Sequence, residues 1–164
     1  PGFRWLHETF GTNWRMTEMQ SAIGLCQLKK LPEWTAVRNQ YAEQIHQTAR
    51  QLKGLRVPVI PADVGHAQYK CYVFVEPQVL ADGWDRDRVM HTIRPAGVPC
   101  FSGSCSEVYL EKAFETSGFQ PEQRLPNAQQ LGDTSLMFLV HPTLTQAEID
   151  KTCAVLKSVM QSAV

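Results

Sequence analysis

The sequence predicts an α+β domain: a small sheet covered by helices and preceded by long helices. Three observations predict it. Helical periodicity dominates residues 17 to 54, the strand-like runs are short and separated by further helical patterns, and the chain closes on a helix with its own capping box. A long helical opening followed by a small, helix-covered sheet is an α+β arrangement, and a ferredoxin-like strand order is compatible with it.

The elements follow in order. Thr17 and Gln20 form a T-x-x-Q capping box, which starts a helix carrying Met19, Ala22, Ile23, Leu25, Cys26, Leu28 and Leu31. These apolar residues occupy most of the helix circumference, so the helix is expected to be covered on more than one side. Pro32 suits the first turn of a second helix. There Trp34, Val37, Tyr41, Ile45, Thr48 and Leu52 recur at helical steps, and Gly54 is a natural stop. Leu55 to Ile60 reads as a short extended piece. His66 to Glu76 is rich in β-formers and is the clearest strand. Asp85 caps a helix running to about Arg94, which Pro95 and Gly97 end. Val98 to Phe101 is a short strand, Ser106 to Phe114 is helical, Pro126 starts a short helix, and Ser135 to Val140 is a buried strand. The last helix opens on the T-x-x-E box Thr145/Glu148 and buries Ile149, Cys153, Leu156 and Met160.

The 164 residues suit one domain, and at that size a core forms without disulfides or a structural metal. Sixteen basic residues balance sixteen acidic ones, which argues against a nucleic-acid footprint built on clustered Lys and Arg. No apolar run reaches the roughly 20 residues that cross a bilayer, so no membrane association is expected. Nor does Pro1-Gly2-Phe3-Arg4-Trp5 read as a signal peptide, because no apolar run follows the charges. The five cysteines (Cys26, Cys71, Cys100, Cys105 and Cys153) are odd in number and scattered, the pattern of reduced thiols in a cytoplasmic protein. The chain begins without Met, and Phe3, Trp5, Phe10 and Trp14 crowd its start. Aromatics at that density need a surface to pack on, either beyond this chain or back on the same domain.

The first chemical candidate is Gly11-Thr12-Asn13-Trp14-Arg15, just before a helix N-terminus. Backbone donors, the helix dipole and a forked guanidinium favour an anion there. The plain alternative is a loop whose Arg is merely solvated. Cys100 and Cys105 with His91 or His141 make a poor zinc set, since the C-x-x-x-x-C spacing lacks a second paired half. Residues 102–106 form a small-residue loop that either touches a substrate or simply leads into a helix. Glu107, Glu111 and Lys112 read as a solvated helix face with local ion pairs.

The run from Gly11 to Gly24 resembles the G-x-N-x-R-M-x-E-x-Q-A-A-x-G stretch of the DegT/DnrJ/StrS family of PLP-dependent sugar aminotransferases. Ser21 stands where that family usually has Ala. Gln27-Leu28, Lys30-Leu31 and Arg38 continue the resemblance, and it extends more loosely through His66-Ala67-Gln68-Tyr69-Lys70 and Gly97-Val98-Pro99 to the chain end. The resemblance implies the C-terminal portion of a fold-type-I PLP enzyme. Residues 1–15 would be a loop left from a missing large domain, and residues 16–164 the small domain with its long leading helices. It implies a homodimer with shared sites, in which Asn13 reaches the partner's PLP phosphate and Arg15 approaches the nucleotide-sugar substrate. His66 and Tyr69 would face that substrate. For His66 a turn residue, and for Tyr69 a core aromatic, are the plain alternatives.

The resemblance also implies that the lysine to which PLP attaches lies upstream. Lys29, Lys30, Lys53, Lys70, Lys112, Lys151 and Lys157 do not match its position, so this chain supplies no catalytic residue and is expected to be inert alone. The whole enzyme is expected to move an amino group, from glutamate, to a keto sugar nucleotide for lipopolysaccharide, O-antigen or related glycoconjugates. A stand-alone ligand-binding or regulatory α+β module, and a PLP-dependent relative that dehydrates or senses, are the rival readings.

Overall fold

A computed structural model describes residues 7–12, 15–103 and 105–164. Phe3, Trp5, Asn13 and Trp14, and whatever was expected of them, lie outside the described residues. The dominant element is a helix, α1, spanning Glu18–Arg50. Its capping box closes as the sequence predicts: the Thr17 hydroxyl accepts from Gln20 N–H, and the Gln20 side chain accepts from Thr17 N–H.

The expectation of two helices divided at Pro32 is corrected. Pro32 lies inside one continuous 33-residue helix. A proline has no N–H for the carbonyl four residues back, a local cost of about 3 kcal/mol. The helix absorbs it because residues 22–33 are exposed, so water can take the orphaned Leu28 carbonyl. Only the C-terminal half of α1 enters the core, through Ala42, Ile45, His46, Thr48 and Ala49. The N-terminal half projects, with Met19 79%, Ile23 60%, Leu25 65% and Leu28 62% exposed.

After α1 come β1 (Leu55–Arg56), β2 (Cys71–Val75), α2 (Arg86–Ile93), β3 (Cys100–Ser102), α3 (Lys112–Glu115), α4 (Pro126–Thr134), β4 (Ser135–Phe138) and α5 (Gln146–Ala163). The turn between α1 and β1 needs Gly54, whose φ is +82°; a Cβ there would press on Val164, Met160 and Leu80. Three sequence-based expectations contract. The extended piece 55–60 pairs only at Leu55–Arg56, the strand expected from His66 begins at Cys71, and Ser106–Phe114 is a 3-10 turn at Val108–Leu110 followed by the short α3. Gln68 explains the second: its φ of +45° breaks any extended run before Cys71.

The sheet has the order β1-β2-β4-β3, and every neighbouring pair is antiparallel. β2 and β3 therefore run parallel with β4 inserted between them, a split β-α-β unit closed by α2. The register puts Cys71, Val73, Leu136, Phe138 and Cys100 on one face. The buried faces of α1, α2 and α5 cover it, with Ile45, Ile93, Ile149 and Leu156 fully buried. Of the residues expected inside α5, Cys153 is only half-buried. Tyr72, Phe74, Phe101 and Met137 line the opposite face, where α4, Gly103, Cys105 and Ser106 give partial cover. No helix among the described residues is long and apolar enough to cross a membrane.

Candidate functional site

Three of the four residues singled out from the sequence, Arg15, His66 and Tyr69, are described. Asn13 lies outside the described residues. Arg15 is exposed two residues before the Thr17 cap. The helix N-terminus behind it is already supplied with acceptors, because the Thr17–Gln20 box takes up two backbone donors and Glu18 puts an acid in the first turn. The helix terminus itself is therefore left with fewer free donors for an anion.

His66 lies in the loop between β1 and β2, where its Nδ1 accepts from Gln68 N–H at 3.0 Å. That bond supports the left-handed Gln68 backbone, so His66 is at least a turn residue. Tyr69 is not a core aromatic. It is 76% exposed, with the Arg38 guanidinium 6.0 Å and the Lys70 ammonium 5.9 Å from its ring centroid. The ring thus presents an amphipathic surface between two cations, one of them on α1.

Between α1 and the 57–68 loop lies an open cavity of about 730 Å³, lined by Asn39, Glu43, His46, Arg50 and Gln68 among others. Its floor is His46, 3% exposed, whose Nε2 lies 3.2 Å from the Tyr72 carbonyl and 3.4 Å from Cys71 Sγ. A carbonyl only accepts, so Nε2 carries the proton toward it. Burial holds the His46 pKa below its usual value, with the Tyr72 carbonyl opposing the shift. Glu43 is held below the usual carboxylate range chiefly by its hydrogen bond from Arg50 at 2.8 Å. Burial pushes the Cys71 and Cys100 thiols up to about 12, which leaves neither as a nucleophile. Among the described residues no group of three His, Cys, Asp or Glu is placed to hold a metal.

On the other side of the sheet, Tyr72, Phe74, Gly103, Cys105, Leu131 and Ser135 line a smaller pocket of about 250 Å³. Gly103 N–H donates to Ser135 Oγ at 3.1 Å, and a Cβ on Gly103 would collide with that hydroxyl. The pocket wall is held by a buried carboxylate, Glu107. It accepts a fork from Arg124 (2.8 and 2.6 Å) and a bond from the Tyr109 hydroxyl (2.8 Å), which in turn accepts from Leu125 N–H. Glu107 and Glu111 are thus not a solvated helix face: they are 3% and 4% exposed. Lys112 alone of that trio makes a surface pair, with Glu8 at 3.0 Å.

Sequence reasoning missed His46, Glu107 and Glu111 as buried polar centres. Each lies in a pattern that also suits an exposed position, and each has a partner from 17 to 104 residues away.

Residues 2–157 match the DegT/DnrJ/EryC1/StrS aminotransferase family. The X-ray structure of an aminotransferase from Psychrobacter cryohalolentis superposes with a TM-score of 0.83 at 52% identity, covering 98% of this chain and 43% of that one. The DesV protein of S. venezuelae, solved with a ketimine intermediate, shares the fold with a TM-score of 0.78 at 23% identity, over 98% of this chain and 41% of that one. The erythromycin biosynthesis sensory transduction protein EryC1 of Saccharopolyspora erythraea is 25% identical over 155 residues, which are 94% of this chain and 40% of that protein. A dTDP-3-amino-3,4,6-trideoxy-alpha-D-glucose transaminase of Streptomyces venezuelae is 26% identical over 145 residues, 88% of this chain and 36% of that protein. The chain therefore spans about 40% of the length of the relatives it matches.

Proposed function

This chain belongs to the DegT/DnrJ/EryC1/StrS aminotransferase family, and on that premise we propose that it is the C-terminal portion of a PLP-dependent enzyme that transfers an amino group from glutamate to a keto sugar nucleotide. The product would serve lipopolysaccharide, O-antigen or a related glycoconjugate, and the enzyme would be a cytoplasmic homodimer. Residues 16–164 form its small domain with the leading helix; residues 1–15 are the loop that arrives from the large domain. The observation that carries this reading is the family match over residues 2–157, which includes the uninterrupted run from Gly11 to Gly24.

The donor set of that run fits a phosphate ester. Gly11 offers an accessible backbone, Asn13 an amide and Arg15 a forked cation, and no acid interrupts residues 11–17. PLP, when bound, supplies an electron sink at the carbon that loses its proton. Asn13 holds the cofactor phosphate of the neighbouring subunit through its amide, and Arg15 neutralises charge on the nucleotide-linked sugar in the same site. His66 and Tyr69 bound the sugar side, Tyr69 as a flat face between Arg38 and Lys70. No residue of this chain moves the proton, so the chain alone binds PLP weakly and transfers nothing.

Related enzymes need not transaminate: a GDP-4-keto-6-deoxymannose-3-dehydratase with a trapped PLP-glutamate geminal diamine shares the fold at 24% identity. Incubating the full-length protein with keto sugar nucleotides and glutamate, and analysing the products by mass spectrometry, separates the two outcomes. An aminated sugar supports the proposal; a deoxygenated keto sugar overturns it. Asn13→Ala should weaken PLP binding roughly tenfold or more, the loss of one hydrogen bond to a charged group.

A further inference from the structure

Residues 7–10, in the first described stretch of the chain, are fastened to residues 111–114 by five contacts. His7 N–H donates to Glu111 Oε2 at 2.8 Å, and the His7 ring Nδ1 lies 3.2 Å from the same oxygen. Ala113 N–H donates back to the His7 carbonyl at 2.9 Å. Glu8 pairs with Lys112, and the Phe10 ring meets Phe114 edge-on, with centroids 5.1 Å apart. The Glu8–Lys112 pair is exposed and weak by itself. The His7–Glu111 contact is different, because the Glu111 carboxylate is buried and its other oxygen lies 3.7 Å from the Cys105 thiol. A buried carboxylate is costly without donors, and the His7 N–H brings one from outside the 105–115 unit.

We propose that Glu111 is a positioning residue: by holding His7 it fixes where the Gly11–Arg15 segment leaves the domain, and so where Asn13 and Arg15 are delivered. The inference rests on the proposed roles of Asn13 and Arg15. The geometry behind it is a segment held at both ends. Phe10 is anchored on Phe114, and Thr17 is fixed by the α1 capping box. Only six residues, 11–16, lie between, with a flexible glycine at the first. When the upstream anchor is released, that segment loses one of its two fixed ends, and its ordering is then charged against every binding event that uses it.

The test uses the full-length protein with three variants: Glu111→Ala, Glu111→Gln, which keeps an acceptor oxygen for His7 N–H, and Phe10→Ala. Phe10 is 58% exposed, so its truncation leaves the fold intact even where loss of the carboxylate does not. Amide exchange across residues 7–12, PLP dissociation, and KM and kcat for the sugar nucleotide are measured on each. Glu111→Ala and Phe10→Ala should speed exchange in 7–12 and raise sugar KM and PLP dissociation, with kcat at saturation nearly held, while Glu111→Gln restores most of each. For Glu111→Ala the rise should be roughly tenfold, the factor set by one charged hydrogen bond. Unchanged exchange overturns the proposal, and so does faster exchange with unmoved KM and PLP affinity, which would make the clamp merely structural. Asn13→Ala and Arg15→Ala separate the layers. If they leave cofactor and sugar binding unmoved, the underlying reading falls and this inference with it; if they weaken binding while the Glu111 variants do not, only the positioning role falls.

Discussion

His46 Nε2 lies 3.4 Å from Cys71 Sγ in the core, with the Tyr72 carbonyl as its second neighbour at 3.2 Å. A helix and a strand are joined there by a titratable group that the fold keeps neutral, because burial disfavours the imidazolium.

Stability should therefore depend on pH through His46. Its pKa is depressed in the folded state, so below about pH 6.5 the unfolded chain binds more protons than the folded one. Stability is full above that pH and declines as pH falls toward the folded-state value. Urea midpoints at pH 7.5 and 5.5 should show the loss, and His46→Gln should flatten it. An equal slope in the variant would assign the effect elsewhere.

The thiols should react in an order set by burial. Cys26 is exposed, Cys105 and Cys153 are half-buried, and Cys71 and Cys100 are buried with pKa values pushed up to about 12. A thiol reagent at pH 8 should label Cys26 first and should reach Cys71 and Cys100 only after denaturant is added. Peptide mapping of the labelled protein reads the order directly.

The two ends of α1 should respond oppositely to the same truncation. Ile45→Ala empties a fully buried site and should cost about 2–5 kcal/mol, whereas Ile23→Ala, on the projecting end, should change the midpoint by no more than about 0.5 kcal/mol. Pro32→Ala should slow amide exchange in residues 19–33 and leave the global midpoint unmoved. A large shift in midpoint would mean that the projecting half is part of the cooperative unit.

Much of this was legible in the sequence. Both capping boxes, the Asp85 cap and the β2, β4 and α5 patterns follow local rules that the structure obeys. Pro32 misled because a proline reads the same at a helix start and inside an exposed helix; only the exposure of residues 22–33 distinguishes them. At Tyr69 the plain alternative, a core aromatic, fails because Gln68 turns the backbone before the strand begins. Glu107 and Glu111 were unreadable because their donors, Arg124 and His7, are distant in sequence. Spacing cannot announce such pairs.

The exposed stripe Met19, Ile23, Leu25 and Leu28 should make the isolated chain self-associate. Sedimentation at micromolar concentration should show a dimer or larger species, and Leu25→Glu with Leu28→Glu should return it to a monomer. A monomer without those changes would contradict the expectation.

The unbroken α1 also sets a phase. Each residue of an α-helix advances about 1.5 Å and turns about 100°. One residue inserted between Leu31 and Arg38 would rotate the Thr17 end by more than a quarter turn relative to the core, while residues 7–10 stay fastened to 111–114. Seven inserted residues would bring the apolar stripe nearly back to its original azimuth, but about 10 Å too far out for residues 11–16 to follow without strain. The helix therefore acts as a gauge of both length and angle, and its residue count is as constrained as any side chain on it.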